Sequence, residues 1–199
     1  MAGLNVRTWR AAGVAAALLH VAAALGFGWA LDDYSMARHP LALLGATGVP
    51  HALAFNLLAL VLPGVLALWM LAGLVRSLPP VAGWPLRLGA QMQLIAALAF
   101  IAMGLLPLDA EDIDGPASGL HASMWMLWAL AFMLGATLLA RGTRALPQWR
   151  GVPALGWVVA LLVLANGFVL GGPFAQRLAF LIWAAWLAVL PRLAGGRGV

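Results

Sequence analysis

Apolar residues run along this chain in six long blocks, at roughly 11–31, 51–75, 88–107, 120–140, 152–171 and 175–194. Each is close to the ~20 residues that an α-helix needs to cross about 30 Å of hydrocarbon at 1.5 Å per residue. Between the blocks stand the residues that stop helices: Pro79-Pro80 and Pro85, Gly115-Pro116, Pro147, and Gly171-Gly172-Pro173. Charged residues collect in the same breaks. The pattern predicts an all-α, polytopic membrane protein: one domain over residues 1–199, folded as a compact bundle of six transmembrane helices. The uncharged stretch from Ala11 to Leu31 is long for a cleaved leader and is read as the first span.

Composition agrees. Of 199 residues, 64% are hydrophobic and 9% charged, whereas soluble domains carry about a quarter charged residues. The net charge of +5 taken alone would suggest nucleic acid. No basic run or binding motif supports that partner, and the arginines sit instead beside span ends. Arg7, Arg10, Arg76, Arg87, Arg141, Arg144, Arg150, Arg192 and Arg197 fall on one predicted side. Arg38 and Arg177 fall on the other, with Asp32, Asp33, Asp109, Glu111, Asp112 and Asp114. Arginine bias marks the cytoplasmic side, so both termini are expected inside a cytoplasmic (inner) membrane. The absence of cysteine removes disulfides and thiolate chemistry. Alanine, glycine and leucine dominate the spans, and small residues let helices approach closely in lipid.

The two largest connections, near residues 32–50 and 108–119, lie on the predicted outer side and place most candidate chemistry there. "GVPHALAFN" and "ASGLHASMW" each follow an acidic segment, and His51 and His121 each read as the start of a descending helix, which suggests a repeated hairpin. His39, His51 and His121 with Asp109 would supply a zinc site with an open position for water. Their spacing matches no tight metal motif, and hydrogen-bonding histidines at an interface account for them equally. His20, near the middle of the first span, lacks the second histidine at its depth that paired haem ligation needs, and reads as a neutral residue bonded to a neighbouring helix. Trp125 and Trp128 stand at i+4 and i+7 from His121 and are placed to wall a cavity below it. Trp9, Trp84, Trp149 and Trp157 read as interfacial anchors. Gln91 and Gln93 read as interhelical hydrogen-bonding residues. Arg177 is expected either to pair with Asp109 or Asp112 or to hold a phosphate headgroup.

Three segments, "YSMARHPLALLGATG" with the following "HALAFN", "GLLPLDAEDIDGPASGLHA" and "GPFAQRLAFLIWAAWL", resemble in content and order a prokaryotic six-helix membrane family catalogued as domain of unknown function 998. That family is distantly similar to FRAG/DRAM/Sfk-type membrane proteins linked to lipid handling. The resemblance covers nearly the whole chain. It implies the six-helix topology and singles out Asn56, Asp109, His121, Gln176 and Arg177; it implies no particular chemistry.

Three functions fit these observations. The first is binding or handling of a membrane lipid or small amphiphile at a polar site in the outer half, with Asn56, Asp109, His121, Trp125, Gln176 and Arg177 as candidate ligand contacts. The second is a zinc-dependent membrane hydrolase using His39, His51, His121 and Asp109. A similar set of residue types serves membrane hydrolases of the alkaline-ceramidase superfamily, although those typically have seven helices and other spacings. The third is an accessory subunit with a membrane-protein partner or a second copy of itself. Carboxylates are absent from every predicted span, which disfavours a proton-driven pump. His121, Asp109 and Arg177 are expected to lie near one another.

Overall fold

A computed structural model of the chain describes residues 6–170 and 172–194; Gly171 and Arg197, used above as a break and a topology marker, lie outside them. Six long helices account for most of the described residues: α1 Val6–Ala30, α2 Ala52–Arg76, α3 Trp84–Leu105, α4 Pro116–Gly142, α5 Gly151–Val169 and α6 Gly172–Leu193. All but α5 are long and apolar enough to cross a membrane; the apolar stretch of α5, Gly151–Asn166, is shorter. The single β-type pairing among the described residues is an isolated bridge between Thr47 and Asp109.

Several helices begin earlier than hydropathy alone suggests. Pro85 and Pro116, expected as breaks, each sit in the first turn of a helix, behind extended Gly83 and Gly115. Proline is at home there, because the first-turn N–H groups have no intrahelical acceptor. The early start of α4 also undoes the repeat. His51 precedes α2 in left-handed backbone, φ 61°, and is exposed. His121 lies more than a turn inside α4 and is buried. The two histidines are not equivalent positions of one hairpin.

Each helix packs on the next in chain order, and α1 also packs on α6, so the six close into a ring. Close approach depends on small residues, as expected where packing rather than water exclusion drives association. At the α3–α4 seam a Cβ on Gly89 would stand 2.8 Å from Leu139 N, and one on Gly135 only 2.5 Å from the Gln93 side chain. Inside the ring, Phe100, Trp128, Phe132, Phe180, Trp183 and Trp186 stack at tilted or edge-on angles; Phe100 and Trp183 have centroids 4.2 Å apart. Such pairs add about 0.5–1.5 kcal/mol each beyond burial. Gln93, fully buried, ties three helices together. Its amide Nε2 donates to Phe132 O at 3.1 Å, and its Oε1 accepts from Trp186 Nε1 at 3.0 Å. Gln91, by contrast, is exposed. Two tryptophans read as interfacial anchors are core residues: Trp9 (4% exposed) packs under Gly73, and Trp149 is 1% exposed. Trp84 and Trp157 are exposed.

Helix α2 carries a local irregularity. It winds as a π-helix over Asn56–Val61 before resuming at Leu62. Pro63 follows immediately and has no N–H to return to Ala59 O, four residues earlier. That carbonyl is met from α1: His20 Nδ1 lies 2.7 Å from it. A carbonyl only accepts, so Nδ1 carries the proton and Nε2 of the neutral ring is left as an acceptor.

Candidate functional site

The polar residues at the loop-bearing end have one dominant occupation, which is to fasten the connections to the helices. Asn56 Nδ2 donates to Gly45 O at 2.8 Å, where a Cβ on Gly45 would collide with the amide. Gln176 Oε1 accepts from Leu41 N at 2.8 Å. His121 Nδ1 lies 3.0 Å from Leu106 O. Ser118 Oγ accepts from Asp109 N at 3.0 Å and sits 2.9 Å from Asp112 O. Thr47 N donates to Leu108 O at 2.9 Å, so the two connections also hold each other. These bonds satisfy backbone groups that would otherwise be costly where water is scarce. Asn56, Gln176 and His121 are thereby committed to scaffold contacts.

The histidines and Asp109 considered as zinc ligands are not gathered. Among the described residues no three His, Asp or Glu groups converge on a position that could hold an ion. His39 Nδ1 accepts from Ser35 N at 3.1 Å, and Asp109 Oδ1 accepts from Glu111 N at 3.0 Å. His51 is exposed, whereas His121 faces a void of about 10 Å³ that it shares with Gln176, Phe55 and Phe180.

Arg177 behaves differently. No carboxylate lies within ion-pair distance of it among the described residues, so the expected pairing with Asp109 or Asp112 is not formed. Its Nη1 donates to Pro173 O at 3.1 Å, and its Nη2 donates to His39 O at 2.8 Å and to the Tyr34 hydroxyl at 2.5 Å. The guanidinium also stands 5.8 Å from the centroid of the Tyr34 ring. Tyr34 Oη in turn donates to Pro40 O at 3.2 Å. Burial pushes the Tyr34 pKa above its ordinary value of 10.0, with the Arg177 charge and hydrogen bond opposing that rise. The phenol therefore stays protonated at neutral pH and holds the guanidinium as a neutral acceptor.

Arg177 and Tyr34 line a cavity of about 90 Å³ between α1 and α6. His20 borders it from α1, and apart from these three residues its walls are apolar: Val21, Ala24 and Leu25 from α1, Met36 and Leu41 from the connection, Phe180 and Leu181 from α6. Leu25 and Leu181 are 40% and 48% exposed on the outside of the ring, so the cavity meets the face that a bilayer would contact. Three of the five guanidinium N–H groups are used by the hydrogen bonds above, which leaves two for a further acceptor. The arrangement is a cation at one end of an apolar slot, with the neutral imidazole of His20 further along its wall.

Sequence reasoning selected Arg177 for this region and missed its two companions. Tyr34 lay in a quoted segment, and as the only tyrosine in the chain it was a signal available to be read. His20 was read correctly as a residue bonded to a neighbouring helix, but its place on a cavity wall depends on the rotation of α1. Trp125 lines a separate cavity on the other side of α6, whereas Trp128 is sealed in the aromatic core. No protein-family model, curated protein or solved structure matches this chain.

Proposed function

We propose that this chain is a six-span protein of the cytoplasmic membrane, with both termini inside, that holds a lipid or small amphiphile by an anionic headgroup at Arg177. The apolar part of the ligand lies along the α1/α6 cavity. The distribution of arginines and acids supports the orientation, and puts the cavity in the outer half. The observation that carries the ligand reading is Arg177 itself: a half-buried cation, unpaired with any carboxylate among the described residues, at one end of a largely apolar slot that opens on the outside of the bundle. A buried charge without a counter-charge is costly. A phosphate or carboxylate headgroup removes that cost through charge-assisted hydrogen bonds to the two guanidinium N–H groups left over. Holding the cation in advance by Tyr34 and two backbone carbonyls lowers the ordering cost of binding.

The test is quantitative lipid extraction from detergent-purified protein, comparing wild type with Arg177→Gln. Wild type is expected to retain an anionic amphiphile near one per chain, and Arg177→Gln to retain at least about tenfold less. Equal retention of anionic species by the two proteins would overturn the reading. A wild type that retains only zwitterionic or neutral lipid would overturn it as well.

A further inference from the structure

The opposite face of α6 borders a second cavity, of about 280 Å³, closed by α4 and α5. Ala175 and Ala179 line it, two residues displaced from Arg177 and Leu181 and therefore turned away from them by about 200° around the helix. Its walls carry no charge. Met126, Leu130 and Met133 from α4 and Val163, Leu164 and Phe168 from α5 are among the apolar residues lining it, and the polar residues are two, Trp125 and Asn166.

Both of these carry an unspent hydrogen-bonding atom. Asn166 is 6% exposed. Its Nδ2 donates to Ala175 O at 2.5 Å, which settles the orientation of the amide, since a carbonyl cannot donate back. Among the described residues, Asn166 Oδ1 is then a buried acceptor with no partner, and Trp125 Nε1–H is a buried donor with no partner. Native interiors rarely leave such groups unsatisfied, and each one calls for an explanation. The two orphans are of opposite kind and belong to residues bordering one apolar cavity. Both atoms are shut from water-sized access in this arrangement, so a ligand in the cavity reaches them only as lining side chains move; Met126 and Met133 are the unbranched, adaptable ones among these.

We propose that this cavity is a second ligand site, selective for an uncharged amphiphile whose headgroup is a hydroxyl. The hydroxyl oxygen accepts from Trp125 Nε1–H and the hydroxyl proton goes to Asn166 Oδ1, while the chain lies against the methionines and alanines. A hydroxyl is the smallest group that both accepts and donates. A carboxylate or phosphodiester only accepts and brings an uncompensated charge, and an ether oxygen has no proton for Asn166. Long-chain alcohols and acylglycerols with a free hydroxyl share the required chemistry. The site is independent of the anionic one: α6 separates them, and their polar groups have nothing in common.

Photolabelling tests this on the full chain reconstituted in phosphatidylcholine vesicles, with a diazirine-bearing long-chain alcohol as probe and adducts located by tandem mass spectrometry. Adducts are expected on the wall residues Met126 to Met133 and Val163 to Leu164. Excess 1-dodecanol should abolish them; equal dodecyl methyl ether or dodecanoate should not. Trp125→Phe, which keeps an aromatic side chain and loses the N–H, should lower labelling there about fivefold, and Arg177→Gln should leave it unchanged. Competition by the ether as strong as by the alcohol would overturn the hydroxyl assignment, and that comparison uses the unaltered protein. Labelling that is unsaturable, or spread evenly over lipid-facing positions, would overturn the site. Labelling that falls with Arg177→Gln but not with Trp125→Phe would assign the alcohol to the other cavity and overturn it too.

Discussion

The two flanks of α6 are built from the same apolar residue types, yet they solve different electrostatic problems. On the α1 side, Arg177 brings a permanent charge into a slot that is apolar but for it, Tyr34 and His20, and Tyr34, His39 O and Pro173 O hold it in one position. On the α4/α5 side no charge enters, and the unsatisfied groups are one N–H and one carbonyl oxygen. A guanidinium leaves a site that needs negative charge and tolerates many shapes that carry it. An orphan donor–acceptor pair leaves a site that rejects charge and needs a group with both roles. Two residues of displacement along one helix separate these requirements, because 100° per residue turns neighbours to different seams. The remaining polar residues at this end, Asn56, Gln176, His121 and Ser118, fall into neither flank, since their hydrogen bonds are spent on the connections.

The contrast can be broken most directly at Arg177. Arg177→Ala removes the charge and its three hydrogen bonds, and binding of an anionic amphiphile is expected to fall by about 10–100-fold. Alcohol labelling beside Trp125 should remain within twofold of wild type by about the same measurement error. Parallel titration of the two ligand classes checks this, and a joint loss would mean that the flanks are one site.

A smaller effect is expected from the far wall of the α1 cavity. His20→Leu leaves Ala59 O without its donor and should destabilise the protein by about 1–3 kcal/mol, seen as a lower unfolding midpoint in detergent. In a Pro63→Ala background the helix regains an N–H that can serve that carbonyl, so the same substitution should cost about half as much or less. Equal costs in the two backgrounds would mean that His20 does not answer the gap left by Pro63.

Tyr34→Phe keeps the ring under the guanidinium and removes one of the Arg177 partners. Anionic binding should weaken by about threefold to tenfold, with no change on the other flank. The smallest effect is spectroscopic. Tyr34 is the only tyrosine, and its pKa is raised by burial, so its ionisation near 295 nm should have a midpoint above pH 10.0. The sign for stability follows: the contribution of the neutral phenol is fully present below its unfolded pKa and is lost as pH rises through the higher folded value. Saturating the cavity with an anionic amphiphile should move the midpoint up again, because a bound anion offsets the arginine that had been lowering it. A neutral alcohol should not move it.

Much of the architecture was legible in the residues. Hydropathy blocks located the helices to within a few positions, and the errors share a cause: Pro85 and Pro116 were taken as interruptions where the first turn of a helix accepts proline. The candidate site was legible less evenly. Arg177 stood out as one of two arginines on the acid-bearing side. His121 stood out as the start of a second, similar hairpin, but its ring is turned to Leu106 O, a partner fifteen residues back that no spacing rule reveals. Trp125 and Trp128 share a face by periodicity, yet one borders a cavity and the other is enclosed by Phe100, Phe132 and Phe180.

By itself, then, the sequence determined the number, length and approximate ends of the helices, and which end of the bundle is acidic. Those properties are local: an apolar run must satisfy its own backbone, and hydrogen bonding within a helix does so wherever the run is placed. Only the tertiary structure decided which polar atoms are spent and which are left over. The side-chain partner of Ala59 O, four residues before Pro63, is chosen by the rotation of α1; the connection at Pro40 supplies the carbonyls that hold Tyr34 and, through His39, Arg177. The turn of α6 then exposes a charge to one seam and a bare helical face to the other. The pairings of His20 with Ala59 and of Arg177 with Tyr34 link residues 39 and 143 positions apart, and they depend on helix rotations that residue order does not encode locally.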